Sequence, residues 1–221
     1  MRKTLYLLLF VIGSLTAMGQ KPVMRDLFVS MPREVMPSLT EETKQQLVDN
    51  YDALQKGEIP VRNARSLFFA PAKVTRLTDT YIEVTLDTAS TLQLKRVPAR
   101  RGGYLISMVL TSEEAPKQSV ILFYDKKWNK RPTPDAIERL SVSDFLMDKK
   151  ALSHNEVKQM FGALGTLAYL YHWSPDRDEL QVRLTSFDTD INKGLFPQAK
   201  KWLKPEGVTL MWHRGKLKIE R

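Results

Sequence analysis

Apolar and polar residues alternate most clearly in the middle of the chain. Leu92 and Leu94 fall on one side of residues 91–97, and Gln93 and Lys95 on the other. That is the period of a strand with one buried face. Residues 81–86, 104–110 and 119–124 are also strand-like, with many β-branched and aromatic side chains. Short turns at 87–90, 101–103 and 113–117 separate the four stretches, which predicts an antiparallel meander. Ahead of it, Leu47, Val48, Tyr51 and Leu54 form one stripe at helical spacing. Ser38 or Thr40 is positioned to cap that helix, with Glu41 and Glu42 at its positive end and Lys56-Gly57 closing it. Residues 25–38 read as a turn or helical stub between Pro32 and Pro37, and 57–72 as irregular chain around Leu67-Phe68-Phe69.

A similar plan follows a charged, proline-bearing connection at 125–141. Ser153 and Glu156 have the spacing of a capping box, and Val157, Met160, Phe161 and Leu164 form a helical stripe. Strands are expected at 168–173 and 179–187, then a turn and short helix over 192–203 stopped by Pro205, then a hairpin turning at Arg214-Gly215. Thr91-Leu92-Gln93-Leu94-Lys95 recurs 88 positions on as Glu179-Leu180-Gln181-Val182-Arg183. Val120-Ile121-Leu122-Phe123-Tyr124 recurs at the same offset as Val208-Thr209-Leu210-Met211-Trp212. A shared offset predicts one unit used twice. The expected fold is α+β: two degenerate tandem units, each a helix or helix pair packed on an antiparallel meander. Residues 20–131 form the first unit and 132–221 the second. The first has a longer link between helix and sheet, and its third strand has no counterpart at 192–198.

Residues 1–19 read as a signal peptide. Arg2 and Lys3 precede an apolar run from Leu5 to Leu15, and Ala17-Met18-Gly19 supplies small residues at a cleavage site. That run is shorter than the roughly 20 residues of a membrane span, and no other stretch resembles one. The expected address is therefore the periplasm or the cell exterior, with no membrane span. The chain has no cysteine. Disulfides, thiol catalysis and thiolate metal sites are excluded, as is anchoring through a lipidated cysteine. Net charge is +9, falling to about +7 without Arg2 and Lys3. Six cation pairs carry the excess: Lys95-Arg96, Arg100-Arg101, Lys126-Lys127, Lys130-Arg131, Lys149-Lys150 and Lys200-Lys201. Scattered as they are in sequence, they read as a solvated basic face, with electrostatic binding to an anionic surface as the alternative. No RNA-binding aromatic signature accompanies them, and no nucleic-acid partner is expected.

Several segments occur in an order that resembles an uncharacterised family of secreted proteins from Bacteroides-type bacteria. They include Leu27-Phe28-Val29-Ser30-Met31-Pro32, Leu77-Thr78-Asp79-Thr80-Tyr81, Phe123-Tyr124-Asp125-Lys126-Lys127-Trp128 and Trp212-His213-Arg214-Gly215-Lys216-Leu217. The resemblance covers nearly the whole chain after the signal. It implies a domain of unknown function, an exported address and no assigned catalytic residue. The tandem helix-plus-meander plan also resembles β-lactamase-inhibitor-type proteins, which bind partners on a concave sheet face. This is a likeness of architecture, which does not by itself carry function.

The chemistry-bearing residues are sparse. His154 falls at a helix start, where it is solvated. His172 and His213 lie on strands of the second unit, and with an acid they are zinc-ligand types, but nothing in their spacing marks a site. Asp188-Thr189-Asp190-Ile191-Asn192 opens like a calcium loop, yet Lys193 and Ala199 replace the required Gly and Glu. No nucleophile elbow, phosphate loop or dinucleotide fingerprint is present. No cofactor or metal is expected.

If the helices cover the face bearing Leu92, Leu94, Leu180 and Val182, the opposite face shows Gln93, Lys95, Gln181 and Arg183. Lys95, Phe123, His172, Arg183, Met211 and His213 are then the candidate binding surface, mixed polar and aromatic like a protein interface. The competing reading is that the aromatics complete a core between the units. The expected function is non-catalytic binding of a protein or cell-surface ligand, with a protein or glycan as partner. The alternative is an envelope hydrolase acting on glycan or peptide.

Overall fold

The structure is a computed structural model that describes residues 23–60, 64–65, 70–114, 117–164, 167–186 and 194–220. The predicted signal segment, Leu67-Phe68-Phe69 and the acidic stretch 188–192 lie outside the described residues. The fold is α+β with antiparallel strands throughout. Helices α1 (Met24–Val29) and α2 (Glu41–Gln55) precede a six-stranded sheet in the order β1-β2-β3-β4-β5-β6. Its strands are β1 (Lys73–Leu77), β2 (Tyr81–Thr85), β3 (Ser90–Pro98), β4 (Tyr104–Ser112), β5 (Gln118–Tyr124) and β6 (Lys130–Arg131). Short helices α3 (Asp135–Glu138), α4 (Val142–Phe145) and α5 (Asn155–Ala163) lead to a four-stranded sheet. Its strands are β7 (Leu167–Trp173), β8 (Glu179–Ser186), β9 (Val208–His213) and β10 (Lys216–Ile219), with α6 (Leu195–Ala199) between β8 and β9.

Local chemistry explains most of these boundaries. The Thr40 hydroxyl accepts from the Thr43 N–H at 3.1 Å and starts α2, which buries Leu47 and Val48. Ser153 does not cap the next long helix. Its hydroxyl donates back to the Lys150 carbonyl at 2.7 Å, closing a 3₁₀ turn, so α5 starts beyond His154. A carboxylate secures a helix start at Ser141 instead, where Asp144 accepts from both its N–H and its hydroxyl at 3.0 Å. Strand β1, in a stretch without a readable pattern, buries only Val74 and holds its place by pairing with β2.

The first sheet is covered on both faces. Its outer face carries Ile82, Val84, Leu92, Leu94, Ile106 and Met108, which pack under α1 and α2 with Met24, Leu27, Phe28 and Leu47. Its inner face carries Tyr81, Val97, Val109, Ile121 and Phe123, which pack against the second sheet and the later helices. There Phe123 stacks on Trp212 with centroids 6.0 Å apart, and Trp173 meets Trp212 edge-on at 6.4 Å. The aromatics of the two halves thus fill a shared core.

The 88-residue offset puts Thr91–Lys95 of β3 on β8 and Val120–Tyr124 of β5 on β9. However, β9 pairs directly with β8, whereas β4 lies between β3 and β5. The two matches therefore fall on strands of different rank, with β9 in the place corresponding to β4.

Trp173 is fully buried, and its indole N–H donates to the Ser107 hydroxyl at 2.8 Å across the two sheets. Replacing Trp173 with alanine should cost about 3–5 kcal/mol in urea unfolding. A loss below about 1 kcal/mol would show that the sheets do not share this core.

Candidate functional site

The second sheet meets the first through its edge strand. Residues of β7 at alternate positions turn their N–H groups away from β8, leaving a free edge of the kind that normally invites another strand. Here side chains of the first sheet take those donors. Tyr171 N–H donates to the Ser119 hydroxyl at 3.2 Å, and Trp173 N–H to Gln93 Oε1 at 3.1 Å. Strand β7 lies over β5, β4 and β3 and divides the inner face of the first sheet. On one side is the dry core with Phe123 and Trp212. On the other is an open groove of about 580 Å³.

Glu83, Thr91, Gln93, Thr111 and Ser119 form the groove's floor; Leu170, His172, Gln181 and Arg183 form its wall; Glu113 and Lys117 close one end. A chain of hydrogen bonds holds the floor. Glu83 Oε2 accepts from Tyr81 Oη at 2.6 Å and from Gln93 Nε2 at 3.0 Å, and Oε1 accepts from Thr75 Oγ1 at 2.9 Å. Burial, followed by the Glu83 hydrogen bond, pushes the Tyr81 phenol far above its ordinary value, so it remains a donor. Burial likewise pushes Tyr171 up to about 12, with a contribution from Tyr169.

Because Gln93 Oε1 accepts from a backbone N–H, its Nε2 must be the donor to His172 Nδ1 at 2.7 Å. The network thereby assigns Nδ1 of His172 as the acceptor and puts the ring proton on Nε2. The imidazole presents a donor to the groove.

The six sequence candidates separate into two groups. Lys95 and Phe123 are each 1% exposed and lie between the sheets, so they are not part of an open face. Both project from the inner face of the first sheet, which docking of the second sheet covers. Lys95 Nζ donates to the Pro175 carbonyl at 3.2 Å and lies 3.7 Å from Asp178. Desolvation pushes its pKa below the usual 10.5, against the pull of Asp178. His172, Arg183 and His213 are exposed and Met211 is half-buried; all four share the open face of the second sheet. Of these, only His172 and Arg183 line the groove. Arg183 reaches Glu206 at 3.3 Å. No cluster of three metal-ligand side chains occurs among the described residues. No helix among them is long and apolar enough to cross a membrane. Sequence reasoning missed Glu83, Thr111, Ser119 and Lys117. Alternation places the first three opposite the helix-covered face, but does not show that a second sheet stands beside them.

The fold and groove define a two-sheet α+β protein in which one edge strand stands on the face of the other sheet. A model of the family described as Protein of unknown function (DUF3256) matches residues 17–217, and the chain belongs to that family. In structure it is similar to a domain of an uncharacterized protein from Porphyromonas gingivalis W83, with a TM-score of 0.69 at 19% identity. That likeness covers 89% of this chain and 98% of the other, and at that identity it concerns the fold alone. No curated protein matches the chain.

Two outcomes follow from this geometry. Gln93→Leu strands the Trp173 N–H and should cost about 1–3 kcal/mol; an unchanged urea midpoint would contradict the bond. Lys95 binds fewer protons folded than unfolded between its lowered pKa and 10.5, so its charge-burial cost is fully present below that window and relieved as pH rises through it. Wild type should therefore gain stability relative to Lys95→Met as the pH rises through the lowered pKa toward 10.5. A pH-independent difference between the two unfolding curves would refute it.

Proposed function

We propose that the chain is an exported, non-catalytic binding protein whose groove between the sheets holds an extended polar ligand, a peptide or glycan strand. The observation that carries this reading is the prearranged lining. Glu83, Gln93 and His172 are fixed by hydrogen bonds to each other and to the β7 backbone before any ligand arrives. Binding then requires little ordering of the site, which favours affinity. The lining offers Arg183 and Lys117 as cations and Glu83 and Glu113 as anions, with Lys117 paired to Glu113. The His172 tautomer supports binding over hydrolysis, because a ring offering Nε2–H to the groove donates a hydrogen bond and does not accept a proton there. The leader of Arg2, Lys3 and the apolar run to Leu15 supports export to the periplasm or cell exterior. The shared 88-residue offset supports descent of both halves from one helix-plus-meander unit.

The test is a panel of short peptides and oligosaccharides screened by melting midpoint and by NMR shift. A groove ligand should raise the wild-type midpoint. Its affinity should fall on the order of tenfold in Arg183→Ala or His172→Ala, about 1.4 kcal/mol, while both unliganded variants melt as wild type does. Undiminished affinity in these variants, or His172-dependent turnover of the ligand, would overturn the proposal.

A further inference from the structure

Three hairpin tips meet at the end of the molecule opposite the groove. The first joins β3 to β4 and carries Arg100 and Arg101; it closes with Ala99 N–H on the Gly103 carbonyl at 3.3 Å. The second joins β5 to β6 and carries Lys126 and Lys127. Since Ile106 pairs with Tyr124, and Tyr124 with Lys130, this tip lies beside the first, about two strand widths or 10 Å across the sheet. The third joins β9 to β10 and carries Arg214, followed by Lys216. It rests on the first: Trp212 Nε1 donates to the Pro98 carbonyl at 2.7 Å. A Cβ at Gly215 would lie only 2.5 Å from the Arg100 nitrogen. Gly215 also has φ +76°, so the third tip turns and seats itself on the first only because that residue is glycine.

All six cations are exposed, and none has an ion-pair partner among the described residues. The acid within the second tip is already engaged. Asp125 folds the second tip by accepting from Lys127 N–H at 2.8 Å and Asn129 N–H at 3.1 Å, and it pairs with Arg131 at 2.8 Å. Burial alone would raise its carboxyl, but these bonds and the Arg131 charge hold it below the ordinary 3.8. Asp135 of α3 lines a shallow pocket with Gly215 and Lys216, so the third tip has an acid beside it, and that carboxylate pairs with Arg139 at 3.5 Å.

We infer that this basic end is a second binding surface, for an extended acidic polysaccharide. Cations spaced along a row suit a polymer bearing repeated sulfates or carboxylates better than a single phosphate, and guanidinium forks match those oxyanions in pairs. The row carries no exposed large apolar side chain with which to enter a bilayer. It carries no exposed aromatic platform on which a nucleobase would stack: Trp128 is 8% exposed and packs on Tyr124, and Tyr104 lies under Arg96. The surface is independent of the groove, which opens at the other end of β3 and β4.

Heparin and polygalacturonate are the probes. Full-length mature protein should bind at least one, with affinity falling steeply as salt rises, because association releases counterions. Arg100→Gln/Arg101→Gln and Lys126→Gln/Lys127→Gln should each weaken binding on the order of tenfold, and each removed cation should flatten the salt dependence by about one unit of slope. Lys200→Gln/Lys201→Gln removes the same charge from the turn after α6, where Lys200 lines a separate pocket with Lys117, and should leave binding unchanged. All three variants should keep the wild-type melting midpoint. The proposal fails if neither polymer binds, if the Lys200/Lys201 variant loses as much as the tip variants, or if anionic vesicles or a single-stranded oligonucleotide bind more tightly than both polymers. Peptide or oligosaccharide binding in the groove should survive the tip substitutions.

Discussion

The architecture depends on two backbone donors that a sheet edge would ordinarily leave to solvent. Tyr171 and Trp173 hand their N–H groups to Ser119 and Gln93, side chains on the face of another sheet. An unprotected edge invites pairing with a second chain, and a buried unpaired amide costs about 1–3 kcal/mol. Polar residues on the inner face of the first sheet meet both demands. They also fix where β7 lands, since a shift of one residue along β7 would bring carbonyls and outward side chains to those acceptors. The placement of β7 then sets the rest: Trp173 enters the core and reaches Ser107, His172 takes its tautomer from Gln93, and the groove opens where the second sheet stops covering the first.

The same docking accounts for the buried lysine at the junction. Lys95 loses its hydration when β7 and the following turn close over it, and the partly exposed Asp178 at 3.7 Å compensates only in part. Without disulfides, the two-sided packing of the first sheet must supply the stability. Helices cover one face and the second sheet the other, so strands that look half-solvated in sequence are buried on both sides.

Much of this was legible before the structure. The strands of both meanders, the Thr40 cap and the closing hairpin follow from periodicity and turn chemistry. Local pattern could not say what covers the polar face of the first sheet. Gln93 and Lys95 alternate with leucines as solvent-facing residues do, and only a contact between positions about 80 residues apart shows that they are interior. Two of the six residues of the proposed surface therefore moved inside: Lys95 and Phe123 went to the junction, while His172 and Arg183 stayed at the groove. The cation pairs changed in the opposite sense. They look scattered along the chain, yet hairpin geometry gathers Arg100-Arg101 and Lys126-Lys127 at one end. The 88-residue offset matched strand signatures but was blind to rank, because β4 lies between β3 and β5 whereas β8 and β9 pair directly.

The most direct test is amide hydrogen exchange at Tyr171 and Trp173. If side chains of the first sheet hold the free edge of β7, both amides exchange as slowly as paired amides inside β8. Trp173 then becomes fast in Gln93→Leu, and Tyr171 in Ser119→Ala, while the paired amides of β8 are unchanged. Fast exchange of both amides in the wild-type protein, at rates typical of a solvent-facing edge, would contradict the account.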